Sequence, residues 1–324
     1  MDRQVMRIVD ANLNRLTEGL RVVEDVLRYA RDDAPLQQRL KGMRHRASSA
    51  VPAGALVMSR DAAGDVGFGA RGALENRRGS LEDVLRANLK RAQEACRVLE
   101  EVLKIESPGA ALVMKEIRYE SYGLEKELEL RERRRPPAGL FLLMRHPGDA
   151  CEELAGEAVA AKAPAVVLGC PGSDARLFYE LARSIREITR GSPTRLLVED
   201  RVDVALAAGA DGIHLGACSL PPKEARALAG DFVLLGLAAD TLEEVERAQG
   251  EPVDYLVFKP ASPGPSGAEA IRQAAGLSRL PVVARCEMNA AALPSLAGTP
   301  LQGVACTPGA GKLSELLQST GEII

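Results

Sequence analysis

TRLLVEDRVDVALAAGADGIHLGACSLPPKEAR, residues 194–226, holds a repeating unit of the chain: a short apolar run, TRLLVED, a helical stretch, and a second apolar run from Gly212, GIHLGA. Short apolar runs bounded by turn residues read as strands buried on both faces. The same alternation extends outward in both directions. Upstream lie GLFLLM from Gly139 and AVVLGC from Ala165; downstream lie FVLLGLA from Phe232, YLVFKPA from Tyr255, PVVARCE from Pro281 and QGVACTP from Gln302. Strands alternating with amphipathic helices define a parallel α/β fold, and eight of them predict a (βα)8 TIM barrel over residues 138–324. That segment falls short of the roughly 200 residues usual for such barrels, which calls for short loops.

Ahead of the barrel, the charged run RERRRPP (131–137) reads as a helix end and linker, and residues 1–135 form a separate, all-α domain. ANLNRLTEGLRVVEDVLR from Ala11 returns as ANLKRAQEACRVLEEVLK from Ala87, so a helix is duplicated. Leu13, Leu16, Leu20, Val23 and Leu27 fall at alternating steps of three and four, as do Leu89, Ala92, Cys96, Leu99 and Leu103. This is the apolar stripe of a helix packed along a neighbour. The polar residues common to both copies are Asn12/Asn88, Arg15/Arg91, Glu18/Glu94, Arg21/Arg97 and Glu24/Glu100. Their outer members read as a solvated ladder of weak ion pairs. Asn12 and Asn88 flank the stripe, and a pseudo-twofold pairing of the helices would bring them toward a common cleft.

Between the copies, SRDAAGDVGFGARGALENRRGS (59–80) gathers glycines beside Arg60, Asp61, Asp65, Glu75, Arg77 and Arg78. Glycines open backbone N–H groups to an anion, arginine forks hold phosphoryl oxygens, and carboxylates carry Mg²⁺. A flexible polar connector has the same composition, and no phosphate-loop or protein-kinase signature decides between the two.

Composition narrows the function classes. With 3% aromatic residues, no Trp and a formal net charge of −3, the chain lacks stacking platforms and a global pull toward phosphate backbones, so nucleic acid is excluded as a partner. No apolar run approaches the ~18 uncharged residues of a membrane span, and MDRQVMRIVD lacks a signal-peptide core, which predicts a cytoplasmic protein without membrane attachment. Cys96, Cys151, Cys170, Cys218, Cys286 and Cys306 form no CxxC pair or metal-spaced cluster and read as reduced thiols, most of them in the core. Oligomeric state stays open, a homo-oligomer included.

The order DANLNRxxEGLRVVED, SRDxxxDVG, ENRRGSxxDVLRANLKRxQEACRVLEE resembles, over residues 5–130, the small helical hydroxymethylpyrimidine phosphate kinase domain found fused ahead of thiamin phosphate synthase. That resemblance implies Mg²⁺-ATP-dependent phosphorylation of hydroxymethylpyrimidine phosphate to the diphosphate. Arg15, Arg60, Arg78 and Arg91, with Asn12 and Asn88, are then candidates for substrate and phosphate contacts; Asp65 and Glu75 are candidates for holding the metal or orienting the hydroxymethyl group. Residues 196–226 resemble the central motif of thiamin phosphate synthase, which implies Asp200 as a Mg²⁺ ligand, Arg201 beside the phosphate and pyrimidine and thiazole phosphates as substrates. His214, a lone strand histidine, reads as a satisfied structural residue.

Other motifs of that family are altered. Glu199 stands where the family has Asn, Ser219 where its second acidic ligand belongs, and Val167-Leu168-Gly169-Cys170-Pro171 where it has QLRxK. Strand five carries Gly236-Leu237-Ala238 in place of Gly-x-Ser, the TPTK loop reads Gly264-Pro265-Ser266-Gly267, and Arg285-Cys286-Glu287 replace paired glycines. Glu287 would bring negative charge to the thiazole phosphate, so synthase chemistry requires Arg285 and Lys259 to substitute. Related thiazole tautomerases share the barrel, but Ala238-Ala239 stand where their catalytic histidine belongs. The expected function is an active kinase domain fused to a barrel with an eroded substrate site. A bifunctional kinase and synthase with a rebuilt site, and a non-catalytic pyrimidine-binding or regulatory protein, are the alternatives.

Overall fold

The computed structural model describes residues 2–51, 53–60, 78–145, 150–216, 218–262, 264–285, 295–307 and 313–321. The chain divides into two compact units, Met1–Glu129 and Leu130–Ile324. The first contains α1 (Arg3–Tyr29), α2 (Ala34–Ala50), α3 (Ala53–Val57), α4 (Leu81–Leu103) and most of α5 (Pro108–Arg133). The duplicated sequences are α1 and α4, and every residue of the two apolar stripes is buried. Helix α4 begins where Ser80 accepts the Asp83 N–H, and α2 where Asp33 accepts the Leu36 N–H, each relieving an unpaired first-turn donor.

Helices α1 and α4 run antiparallel. The Asp2 N–H donates to Glu106 at one end, and Arg31 pairs with Glu82 at 2.8 Å at the other. They pack tightly at Gly19, where a Cβ would lie 2.9 Å from the Asn88 carbonyl oxygen. The polar ladder divides in two. Arg15, Glu18, Arg91 and Glu94 are exposed, whereas Glu24 and Glu100 are buried at 2% and 4% exposure, a correction to their placement in a solvated row. Each is held from the helix that follows it: Arg44 and Gln37 of α2 reach Glu24, and Arg118 of α5 reaches Glu100 through Nε at 3.0 Å and Nη2 at 2.7 Å.

The second unit is the expected barrel. Strands β1 (Gly139–Arg145), β2 (Ala165–Gly169), β3 (Arg195–Glu199), β4 (Gly212–Leu215), β5 (Leu234–Ala239), β6 (Tyr255–Phe258), β7 (Val282–Arg285) and β8 (Gly303–Cys306) close in sequence order, all parallel. Between and after them come α6 (Cys151–Ala160), α7 (Ala175–Thr189), α8 (Val202–Ala208), α9 (Pro222–Ala229), α10 (Leu242–Ala248), α11 (Pro265–Leu277) and α12 (Leu313–Gly321). Alternate residues point inward, where Phe141, Leu143, Val167, Leu197, Leu234, Tyr255 and Val283 fill the interior, so the barrel is a packed core. Near the amino-terminal end of β6, Asp254 binds Arg134 and Arg226 and accepts the Leu235 N–H. Arg134, from the charged run before β1, thereby anchors within the barrel unit.

Candidate functional site

In the barrel, the inward parity of each strand continues to its carboxyl end. Phe141 and Leu143 lead to Arg145, Val167 to Gly169, Leu197 to Glu199, Tyr255 and Val257 to Lys259, and Val283 to Arg285. These residues line a cleft of about 570 Å³ together with Cys170, Asp200, Arg201, Gly216, Ala238 and Asp240. Carboxyl strand ends are where barrels of this kind place their chemistry.

Asp200 holds the centre of this rim. Its backbone is left-handed, φ 65°, a strained state that Asp tolerates better than most residues. The turn is fixed by its N–H donating to the His214 carbonyl and by Oδ1 accepting from the Gly216 N–H at 2.9 Å and the Ser219 hydroxyl at 2.6 Å. Gly216 leaves room for that oxygen, since a Cβ there would lie 2.7 Å from it. Ser219, at the position of an acidic ligand in the sequence comparison, therefore orients Asp200. Among the described residues no group of three or more His, Cys, Asp or Glu side chains is placed to hold a metal. A single carboxylate is nevertheless the donor set that Mg²⁺ uses when substrate phosphates supply other ligands, so Asp200 fits that ion as one half of a site.

The arginines are arranged around Glu199. Arg285 Nη1 lies 3.2 Å from Oε1 and Arg145 Nη2 lies 3.5 Å from Oε2. Gly169 makes room for the carboxylate: a Cβ on it would be 2.5 Å from Oε2. Gly169 stands where the compared family has the arginine of its QLRxK motif, and its register partner on the neighbouring strand is Arg145. The cation missing from β2 is thus present at the same level on β1. Arg201 lines the cleft, but its guanidinium is engaged by both oxygens of Asp203, at 2.8 and 2.6 Å.

His214 lies beneath this layer, level with Glu199 in the β3–β4 register and stacked against Tyr255 with ring centroids 6.4 Å apart. It is buried, as expected of a strand histidine, but not satisfied. Neither imidazole nitrogen has a hydrogen-bond partner, and the Tyr255 hydroxyl has none either. Burial drives the His214 pKa down to about 4, so the ring is neutral at physiological pH. Gly236 allows the stack, since a side chain there would collide with the Tyr255 ring.

In the helical unit the structure places Arg60 against Asp10 of α1, with Nε and Nη2 each 2.8 Å from a carboxylate oxygen. Asp10 is 7% exposed and was not singled out from the sequence, although it opens the DANLNR motif. In the second copy its position is taken by Arg86, which pairs with Glu129 instead, so the duplication is chemically asymmetric here. Asn12 and Asn88 do not share a cleft. Each turns its amide back to a carbonyl of its own helix, Ile8 and Val84, and antiparallel packing sets them on the order of 12 Å apart along the axis. Arg15, Arg91 and Arg78 are exposed. Asp65 and Glu75, like Cys286 and Glu287 of the barrel, lie outside the described residues. No described helix is long and apolar enough to cross a membrane.

Comparison with known proteins agrees with this architecture. Residues 7–127 match the ThiD2 family, and residues 143–309 match the family described as thiamine monophosphate synthase. A thiamine-phosphate synthase of Synechococcus sp. (strain CC9605) is 35% identical over 91% of this chain and 87% of its own length. Another, from Gloeobacter violaceus, is 36% identical over 82% of this chain and 78% of its own. Among solved structures, thiamine phosphate pyrophosphorylase from Pyrococcus furiosus superimposes with a TM-score of 0.53 and 27% identity, over 60% of this chain and 99% of that one. The chain therefore belongs to the thiamine monophosphate synthase family of thiamin biosynthesis, with a ThiD2-family segment preceding the barrel.

Proposed function

We propose that the protein is a bifunctional transferase whose helical domain phosphorylates hydroxymethylpyrimidine phosphate with Mg²⁺-ATP, and whose barrel joins the resulting diphosphate to thiazole phosphate, forming thiamin phosphate. In the first reaction the terminal phosphoryl group of ATP passes to a phosphate oxygen of the pyrimidine substrate, leaving ADP. In the second, the bond from the pyrimidine methylene to its diphosphate breaks as the bond to the thiazole forms, and negative charge develops on the departing diphosphate. Preorganised cations at that position lower the barrier.

The observation that carries the barrel half of this reading is the convergence of Arg145, Lys259 and Arg285 on the cleft that contains Asp200. Those cations come from β1, the end of β6 and β7, which supports a rebuilt site in place of the lost β2 motif. When bound, Mg²⁺ would be held by Asp200 and by diphosphate oxygens and would neutralise part of their charge. Ser219 and Gly216 keep Asp200 in place for that task. Neutral, buried His214 takes no part in proton transfer on this reading. For the helical domain, Arg60 is the candidate phosphate contact among the described residues; Asp10 holds its Nε–Nη2 edge, as Asp203 holds that of Arg201, so a phosphoryl oxygen would be met through Nη1.

A second reading, an active kinase with a silent barrel, is favoured by one observation: Glu199 already occupies Arg145 and Arg285. The two are separated by a coupled assay on the purified chain with ATP, Mg²⁺ and hydroxymethylpyrimidine phosphate, reading ADP and then thiamin phosphate after thiazole phosphate is added. Both products support the bifunctional reading. ADP alone leaves the kinase, and neither product refutes both in favour of a binding or regulatory role.

A further inference from the structure

We infer that Arg145 and Arg285 form an anion subsite for a phosphoryl group across the barrel mouth, and that Glu199 is its resident occupant, which a phosphorylated ligand must displace. The inference rests on the proposed barrel reading for the identity of the ligand, but on geometry for the subsite. Each oxygen of one carboxylate faces a different guanidinium, Oε1 that of Arg285 and Oε2 that of Arg145. A tetrahedral phosphoryl group makes the same two-sided contact, and Glu199 imitates it.

Two further features mark the carboxylate as an insert into the space of a larger group. Its side chain is 13% exposed and lines the cleft, so an anion entering the cleft can reach the contacts it makes. Its Oε2 also fills the volume that any side chain on residue 169 would claim. Rotation of Glu199 away from Gly169 would break its contacts with both guanidiniums at once. The affinity of the cleft for phosphate is therefore set by competition between an internal and an external anion.

The test is calorimetric titration of the full-length chain with inorganic pyrophosphate, and separately with orthophosphate. Glu199→Gln keeps the shape and removes the competing charge, so pyrophosphate affinity is expected to rise about tenfold, the order of a close charge pair at a binding site. Gly169→Ala expels the carboxylate sterically while leaving every charge in place, and should shift affinity in the same direction; it reads the same quantity should the first variant fold poorly. Adding Arg285→Gln to Glu199→Gln should cancel the gain. Unchanged or weaker binding in the folded variants overturns the inference, as does the absence of pyrophosphate binding in every form. Pyrophosphate binding that follows this pattern in a chain forming no thiamin phosphate would sink the synthase reading and keep the subsite.

Discussion

Replacing Arg118 with methionine tests whether the buried glutamates of the duplicated helices are held as the structure indicates. Glu100 is 4% exposed and Arg118 supplies two of its hydrogen bonds, at 3.0 and 2.7 Å, while Arg97, largely in solvent, adds an ion pair at 3.3 Å. Burial works to raise the Glu100 carboxyl, but the hydrogen bonds and charge of Arg118 prevail, with help from Arg97, and hold it below its usual value. Losing one partner of a buried pair costs about 3–5 kcal/mol, and because Arg97 remains, about 2–3 kcal/mol is expected here. That corresponds to a melting point lower by roughly 8 °C for a unit of this size. The pH dependence is the sharper readout. In the native chain Glu100 contributes stability that is present above its unfolded pKa and disappears only as pH falls through the lowered folded value. In Arg118→Met the carboxyl is buried with its main partner gone, its folded pKa rises, and the charged form is penalised at neutral pH. The stability gap between the two proteins should therefore be wider at pH 7 than at pH 4.5, because acid protonates the variant's carboxyl through its raised folded pKa and relieves the buried charge. Scanning calorimetry of the full chain at both pH values measures it. A gap of equal size at pH 7 and 4.5 would refute the buried charge pair as its source.

Gly19→Ala should destabilise the helical unit by about 1–3 kcal/mol, read by chemical denaturation, because the new methyl lies 2.9 Å from the Asn88 carbonyl oxygen; the equivalent position in the second copy already carries Ala95. Asp200→Asn should reduce thiamin phosphate formation by roughly a hundredfold while leaving ADP formation intact, as expected for loss of one charged group from a diphosphate site. Asp10→Asn should do the reverse, lowering ADP formation through a raised KM for the pyrimidine phosphate, with no added effect in an Arg60→Gln background. Proton NMR of His214 should show a neutral ring down to about pH 4–5, so no activity change between pH 5 and 8 should trace to this residue.

The helical stripes and the eight strands were legible because both depend on periodicity within a single segment. Leu13 to Leu27 and Leu89 to Leu103 are buried as their spacing requires, and each strand coincides with its apolar run, β1 and β5 extending one residue past theirs to Arg145 and Ala239. Asp200 stands out in the sequence through its motif and lines the cleft, and two of that motif's members bear on it: Gly216 leaves room for the carboxylate and Ser219 donates to it. What stayed hidden depends on pairs distant in sequence. Glu24 and Glu100 looked solvated because their partners, Arg44 and Arg118, come from other helices. Arg145 escaped notice because only barrel register shows it level with Gly169, although its inward parity with Phe141 and Leu143 was a usable signal. Asn12 and Asn88 were expected to meet, but antiparallel helices bring together residues whose numbers sum to a constant, not those related by the repeat.

The altered motifs at the barrel mouth form one replacement. Neighbouring strands of a parallel barrel end at a common level, so a cation serves the cleft whether it rises from β2 or from β1. Moving it to Arg145 frees residue 169 to be glycine, and glycine there opens the volume that Glu199 enters. Glu199 in turn neutralises part of the charge that Arg145 and Arg285 bring to a half-buried layer above the unpartnered His214. Returning one member alone to the family pattern should then do harm: Gly169→Arg would drive a guanidinium stem into the Glu199 carboxylate and place a third arginine in the layer. Combined with Glu199→Asn, which vacates the volume, and Arg145→Ser, which returns the layer to two arginines, the same substitution should cost less. The triple variant should therefore melt above Gly169→Arg alone, and equal melting points would show that positions 169 and 199 do not share one volume.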